Sequence, residues 1–340
     1  MNSQLSRRPN MAGKVVFVDG LSGSGKSLLS IVLASMQRVE LLSFLYELEY
    51  YCVLHEFDKL PMDAAKTMIR VQTDLKLYNT MMGRDVNFRL TDMSSALKSH
   101  NPGQYLQRLF EPGDEHIPEI IQSEAPILNI CVHNLFSYSK PIWEALQERC
   151  FFINVVRHPV YMVHQQSVQM QVSDVRDLAI HYDYNGCDIP YFAYQWEEKY
   201  LASNSFEKAI YFTEAMCYRD KRYGDRIRKK YPEQVLTIPF ESFVLAPETW
   251  IDEMSKKIGT NVTTDTYKTM LNQNVPRDKV AAGLPTELYK RYGWTPPMDG
   301  ANEIDELAIR RKDIASQVDA KALKVLDRLS EEYENNFWSP

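Results

Sequence analysis

The segment Gly20-Leu21-Ser22-Gly23-Ser24-Gly25-Lys26-Ser27 fits the spacing G-x-x-x-x-G-K-[ST] in full. The chemistry of that spacing is phosphate binding. Its glycines let the backbone curl so that successive N–H groups converge on an anion. A helix opening at Lys26 adds its positive end to the same point. Lys26 supplies a mobile cation for a terminal phosphoryl or sulfuryl oxygen, and Ser27 a hydroxyl. Two further side chains could join this loop. His133 follows the apolar run ILNICV, and an imidazole is a general base suited to neutral pH. Arg157 follows FFINVV and opens Arg157-His158-Pro159, where the proline fits the first turn of a helix running toward Ser167. A guanidinium at such a helix start can fork onto a phosphate.

The elements that must position these residues can be read from the runs around them. Lys14–Asp19 (KVVFVD) has buried-strand character and leads straight into the loop, and the helix after it is expected from Lys26 to Met36. Ile127–Val132 and Phe151–Val156 are strands separated by a helical stretch, Lys140–Arg149, a β–α–β unit that favours a parallel sheet. Val235–Ile238 is a fourth strand. The alternation predicts an α/β fold, three-layered with a central parallel sheet, whose ligands bind at the carboxyl ends of the strands. Residues 58–126 and 175–230 show no strand pattern and are expected as helical inserts. Residues 1–12 are expected to be a flexible tail and 13–340 a single domain. A C-terminal helix over about 303–335 is expected to dock on the body, with a homodimer contact as the second reading.

Composition sets the outer limits. The 340 residues are 44% apolar and 25% charged, the profile of a globular protein rather than a disordered or membrane-embedded one. Lys plus Arg total 39 against 45 Asp plus Glu, a net charge of −6. That balance argues against nucleic acid as a partner but leaves room for a basic pocket sized for one anion. Five cysteines without C-x-x-C spacing read as reduced, buried thiols, and no run approaches the roughly 18 apolar residues of a membrane span, so a cytoplasmic protein is expected. The N-terminus lacks a signal-peptide pattern.

In order and spacing, these motifs resemble the sulfotransferases that use 3′-phosphoadenosine-5′-phosphosulfate (PAPS). Cytosolic members carry a phosphate loop after the first strand, then a strand ending in a K-T-H-L-P-like segment, then one ending in R-N-P-x-D-x-x-x-S. Here Cys131-Val132-His133-Asn134-Leu135 stands in the second place, and Arg157-His158-Pro159, beginning 24 positions after His133, in the third. Phe240-Glu241-Ser242-Phe243, followed by Pro247 and a helix over Glu248–Ile258, matches the family's aromatic–Glu–x–aromatic element. The resemblance spans about residues 14–260. Three departures accompany it. The family's loop, K-S-G-T-T or R-S-G-T-T, has a base where Gly23 stands, and Lys26 fills its first Thr position. Gln165 stands where the family has Ser, with Ser167 two residues on. Cys131 replaces the Lys of K-T-H.

The resemblance implies in-line transfer of a sulfuryl group from PAPS to a hydroxyl acceptor, a small molecule or carbohydrate. It assigns the 5′-phosphate to the amides of Gly20 and Ser22–Ser27, and the 3′-phosphate to Arg157 with help from Gln165. His133 takes the acceptor's proton and Lys26 stabilises developing charge, without a metal. Glu47 and Glu49 are the alternative bases, ranked behind His133 because both are expected on the solvated face of a helix around Tyr46–His55. Arg277 and Lys279 are a further candidate contact to the 3′-phosphate. The aromatics Tyr182, Tyr184, Tyr191, Phe192, Tyr194 and Trp196 suit an acceptor site or core packing. Two other readings stand beside this one. The first is an ATP/Mg-dependent small-molecule kinase that takes Lys26-Ser27 at face value and recruits Asp58, Asp19 and Glu56 being the other acids available. The second is a sulfotransferase-like nucleotide-binding protein without transfer activity.

Overall fold

The computed structural model describes residues 3–8, 10–171, 178–285, 290 and 294–340. Among them the strands are β1 (Lys14–Asp19), β2 (Ser43–Phe44), β3 (Ile127–Cys131), β4 (Cys150–Val156), β5 (His181–Tyr184), β6 (Cys187–Pro190) and β7 (Val235–Pro239). The helices that matter for the site are α1 (Lys26–Leu33), α2 (Tyr46–Glu56), α3 (Met62–Met81), α4 (Lys140–Leu146), α5 (Pro159–Gln171), α6 (Ser205–Arg219), α7 (Glu248–Ile258), α8 (Glu303–Ala315) and α9 (Ala320–Asn336).

β1 is apolar on both faces because it is central. Val15, Val16, Phe17 and Val18 are fully buried, and the strand pairs in parallel with β3 on one side and β4 on the other. The sheet order is β2-β3-β1-β4-β7, every pairing parallel. Side chains alternate across it, so each face builds its own core. Val16, Val18, Ile153 and Ile238 pack with Leu29, Val32 and Leu33 of α1. Val15, Phe17, Ile130 and Phe152 pack with Leu48 of α2, Ile69 of α3 and Trp143 of α4. Phe17 and Phe152 stack at 4.8 Å on that second face. The α/β three-layer arrangement expected from the sequence is what the chain adopts.

Several elements differ from expectation. α1 ends at Leu33, and the run to Met36 is finished by turns rather than helix. β2 is a two-residue strand that its short sequence does not announce. The stretch 175–230, read as strandless, contains the antiparallel hairpin β5–β6, although residues 175–177 lie outside the described residues. Its turn is Asn185-Gly186, both at positive φ (53° and 82°), the conformation that an Asn-Gly hairpin turn requires. The helix expected over 303–335 is two helices, because Asp319 accepts a hydrogen bond from the Ala322 amide and caps a new start. α9 docks on the body through Ala322, Leu326, Leu329 and Tyr333. The segment 1–12, expected to be a flexible tail, is tied down near its end. The buried carboxylate of Asp74 on α3 accepts from the Met11 and Ala12 amides and pairs with Arg7. All five cysteines are free, but only Cys52, Cys131 and Cys150 are buried; Cys187 is exposed on the hairpin. Among the described residues no helix is long and apolar enough to cross a membrane.

Candidate functional site

The carboxyl ends of β1, β3 and β4 bring together the three features singled out above. The loop leaves β1 at Gly20 and ends at Gly25, which is at φ 91° and opens α1 without a side-chain cap. The first amides of α1 are therefore left for another acceptor. Lys26 is buried, and its Nζ donates to the Leu21 carbonyl at 3.3 Å, folded back over the loop. Ser27 lies at the Cys131 thiol, whose pKa burial pushes up to about 12. Cys131, standing where the family has a lysine, is thus an inert neighbour of the loop.

Phe240 and Glu241 pack against the loop and against the segment that follows β4. Phe240 packs so closely on the loop that a Cβ on Gly25 would lie 2.2 Å from its ring. The same ring carries the Arg157 guanidinium at 4.4 Å and that of Arg277 at 5.6 Å. Arg157 also lies 5.1 Å from the Tyr161 ring centre and donates from an Nη to the Gly23 carbonyl at 2.8 Å. Glu241 is fully buried; its carboxylate accepts from the His158 amide at 3.0 Å and from the Tyr333 hydroxyl of α9. It thereby fixes the backbone that follows Arg157 and adds a countercharge. Burial nevertheless holds its carboxyl above the usual range, with Arg157 opposing that shift. The Arg277 N–H groups donate to the carbonyls of Asn274, Val280 and Gln273, so this arginine sits beside the site but is engaged by its own loop. Lys279 Nζ donates to the Met298 carbonyl.

α5 supplies the remaining wall. Gln165 meets the loop at Gly23, where a Cβ would stand 3.1 Å from its Oε1 and 3.4 Å from the Met162 Cα. With φ at 84°, a side chain at Gly23 would be strained and would press on Gln165. Gln166, which the motif comparison passed over, is buried; its amide donates to the Ser22 carbonyl at 3.0 Å and its Oε1 accepts from Thr213 on α6. Ser167 is turned to the His164 carbonyl of its own helix. Its hydroxyl thus replaces nothing at the loop.

His133 sits just past β3. The Glu49 Oε1 on α2 accepts from its amide and lies 3.0 Å from its Nδ1. With the carboxylate accepting, Nδ1 carries the proton and Nε2 the lone pair, the tautomer that a base needs. The ring is clamped parallel to Tyr46 (5.6 Å) and Phe44 (5.9 Å). Glu49 is only 13% exposed, so it does not lie on the solvated face expected for it, whereas Glu47 does. Tyr46 and Glu49 lie one helical turn apart on α2, a spacing that in hindsight marks one face. Asp19 fixes the turn beyond His133. Its buried carboxylate accepts from the Phe136 amide, and Asn134, at φ 54°, donates to the Gly20 carbonyl at 3.4 Å. Asp58 lies on an exposed turn after α2 and does not line the cavity beside the loop.

That cavity, about 470 Å³, is lined by Asp19, Gly20, Leu21, Asn134, Asn154 and Arg157, among others, and is closed by α6 and α9. Around it stand four buried polar atoms without a hydrogen-bond partner among the described residues: Asp19 Oδ1, Ser24 Oγ, Asn134 Oδ1 and Arg157 Nε. Buried polar atoms are normally paired, so this cluster has the donor and acceptor character of a ligand site. Arg157 Nε and Ser24 Oγ are donors that an anion accepts from, whereas Asp19 Oδ1 and Asn134 Oδ1 are acceptors.

No protein-family model matches the chain, and no curated protein does. Among solved structures it is similar to the sulfotransferase domain from the Synechococcus PCC 7002 olefin synthase, with 14% identity over 97% of this chain and 98% of that one and a TM-score of 0.44. It is also similar to the sulfotransferase domain from the curacin biosynthetic pathway, with 14% identity over 96% and 99% and a TM-score of 0.47.

Proposed function

We propose that the chain is a sulfotransferase that uses PAPS as donor and a hydroxyl compound as acceptor. The observation that carries this reading is the gathering of partnerless buried polar atoms around a phosphate loop, with an imidazole–carboxylate pair beside it. The open amides of α1 and the loop hold the 5′-phosphate. Arg157, held in place by Phe240, Tyr161 and the Gly23 carbonyl, supplies the positive charge for the 3′-phosphate. Gln165 and the positive field of Arg277 assist it. When bound, PAPS supplies a sulfur centre with a phosphate leaving group.

His133 Nε2 takes the proton as the acceptor oxygen forms its bond to sulfur and the sulfur–oxygen bond to phosphate breaks. The products are a sulfate ester, adenosine 3′,5′-bisphosphate and a protonated imidazole, which Glu49 stabilises. Lys26, released from the Leu21 carbonyl, neutralises charge on the departing phosphate oxygen. A cytoplasmic setting, expected from the scattered cysteines, is part of the proposal.

The test is turnover of radiolabelled PAPS against a panel of hydroxyl acceptors, with His133→Ala beside the parent protein. The reading expects label transfer that is lost in the variant, while adenosine 3′,5′-bisphosphate still binds both. Equal transfer by the two proteins would remove His133 from the mechanism.

A further inference from the structure

A second cavity, about 460 Å³, adjoins the one beside the loop. Met216, Cys217, Lys221, Leu329 and Glu332 line both, so only α6, the turn after it and α9 stand between them. Its outer wall is the aromatic group noted in the sequence. Tyr191, Phe192, Tyr194 and Trp196, which follow the β5–β6 hairpin, face Phe57 and Tyr138. The rings meet edge to face, Tyr138 with Tyr191 at 5.6 Å and Phe57 with Tyr194 at 5.2 Å. Such a frame presents both ring faces and edges to a planar guest.

The charges of this cavity run against those of the protein as a whole. Five basic side chains line it, Lys199, Arg219, Lys221, Arg222 and Arg328, against the carboxylates of Glu56, Glu214 and Glu332, although the chain carries −6. Lys199, Lys221 and Arg328 are paired with Glu214 and Glu332. Arg219 is different. Its guanidinium lies 3.7 Å from the Tyr138 ring centre and one Nη meets the half-exposed Glu56 at 2.6 Å, but its buried Nε has no partner among the described residues. An arginine stacked on an aromatic ring and paired with a half-exposed carboxylate can exchange that carboxylate for the acid group of an aromatic guest.

We infer that this cavity is a ligand site that selects planar aromatic acids, with the ring held by the aromatic wall and the acid group held by Arg219. The ligand class follows from the cavity itself and does not depend on the sulfuryl-transfer reading. Glu56 then acts as a competitor that an incoming carboxylate displaces from Arg219.

The test is calorimetric binding of 6-hydroxy-2-naphthoate and of the neutral 2-naphthol to the full chain. Adenosine 3′,5′-bisphosphate is measured in parallel to report the donor site. The parent protein is expected to bind the naphthoate at least about tenfold more tightly, the effect of one charge-assisted hydrogen bond. Arg219→Gln should bring the two ligands level without changing bisphosphate affinity. Glu56→Gln, which keeps Arg219 and frees it, should tighten the naphthoate alone, and this variant decides the matter if Arg219→Gln does not fold. Equal affinities in the parent protein, or a preference that survives Arg219→Gln, or no gain in Glu56→Gln, would overturn the inference. Failure of the bisphosphate to bind, with the naphthoate preference intact, would instead count against the donor reading alone.

Discussion

Replacing Gly25 with alanine tests the loop geometry at its most constrained point. Gly25 holds φ at 91°, and the added Cβ would stand 2.2 Å from two carbons of the Phe240 ring. The left-handed backbone costs an alanine about 1–2 kcal/mol, and forcing a methyl group into a packed site costs about 1–3 kcal/mol more. Phe240 has nowhere to retreat, since it is buried and its ring supports the guanidinium groups of Arg157 and Arg277. The combined cost, about 2–5 kcal/mol, must therefore appear as lost global stability, as loosened loop amides, or as both. Urea unfolding measures the first and calorimetric titration with adenosine 3′,5′-bisphosphate the second. A binding loss of about thirtyfold corresponds to the lower limit if stability is untouched. Gly13→Ala is the control, because a Cβ there meets no heavy atom within 4 Å. Wild-type stability together with unchanged binding in Gly25→Ala would refute the contact between loop and ring.

Other consequences can be measured on the same protein. Glu49→Gln should lower kcat about 10- to 100-fold or more with little change in the acceptor KM, because it loosens the His133 tautomer rather than substrate binding; steady-state kinetics would show it. Glu241 is held above the ordinary carboxylate range by burial, so its stabilising contribution is present at low pH and is lost as pH rises through its folded value. The Tm of Glu241→Gln relative to wild type should accordingly rise from about pH 4 toward neutrality, and a difference independent of pH would contradict the shift. Arg108 makes a bidentate pair with Glu40, each side chain 5% exposed, so Arg108→Met should cost about 3–5 kcal/mol in denaturant unfolding by stranding a buried carboxylate.

What could be read from the sequence was what local chemistry dictates. The loop, the strands β1, β3, β4 and β7, and α7 follow from short-range patterns of glycine, β-branched and helical residues, and they fall where the residues predict. The strand ends then bring His133 and Arg157 to the loop without further information. Tertiary partnerships were not legible. Glu49 looks like one more acid on an amphipathic helix until β3 delivers His133 to it. Gln166 sits beside the position that the motif comparison pointed to, and only the packing of α5 on the loop selects it over Ser167. β2 is too short to carry a period. The β5–β6 hairpin has its signal in Asn185-Gly186, but the residues nearest the turn are mostly exposed and add no apolar alternation to it. At Gly23 the left-handed φ of 84° disfavours the base of the resembled motif, a backbone property that no local pattern announces.

The central claim is the identity of the donor, and a thermal-shift comparison of adenosine 3′,5′-bisphosphate with ATP plus Mg²⁺ addresses it most directly. A ligand that binds only the folded chain raises Tm in proportion to the logarithm of its saturation. The account predicts stabilisation by the bisphosphate that is diminished in Arg157→Ala, and a smaller effect of Mg·ATP. Stabilisation by Mg·ATP with none by the bisphosphate would contradict it and favour phosphoryl transfer.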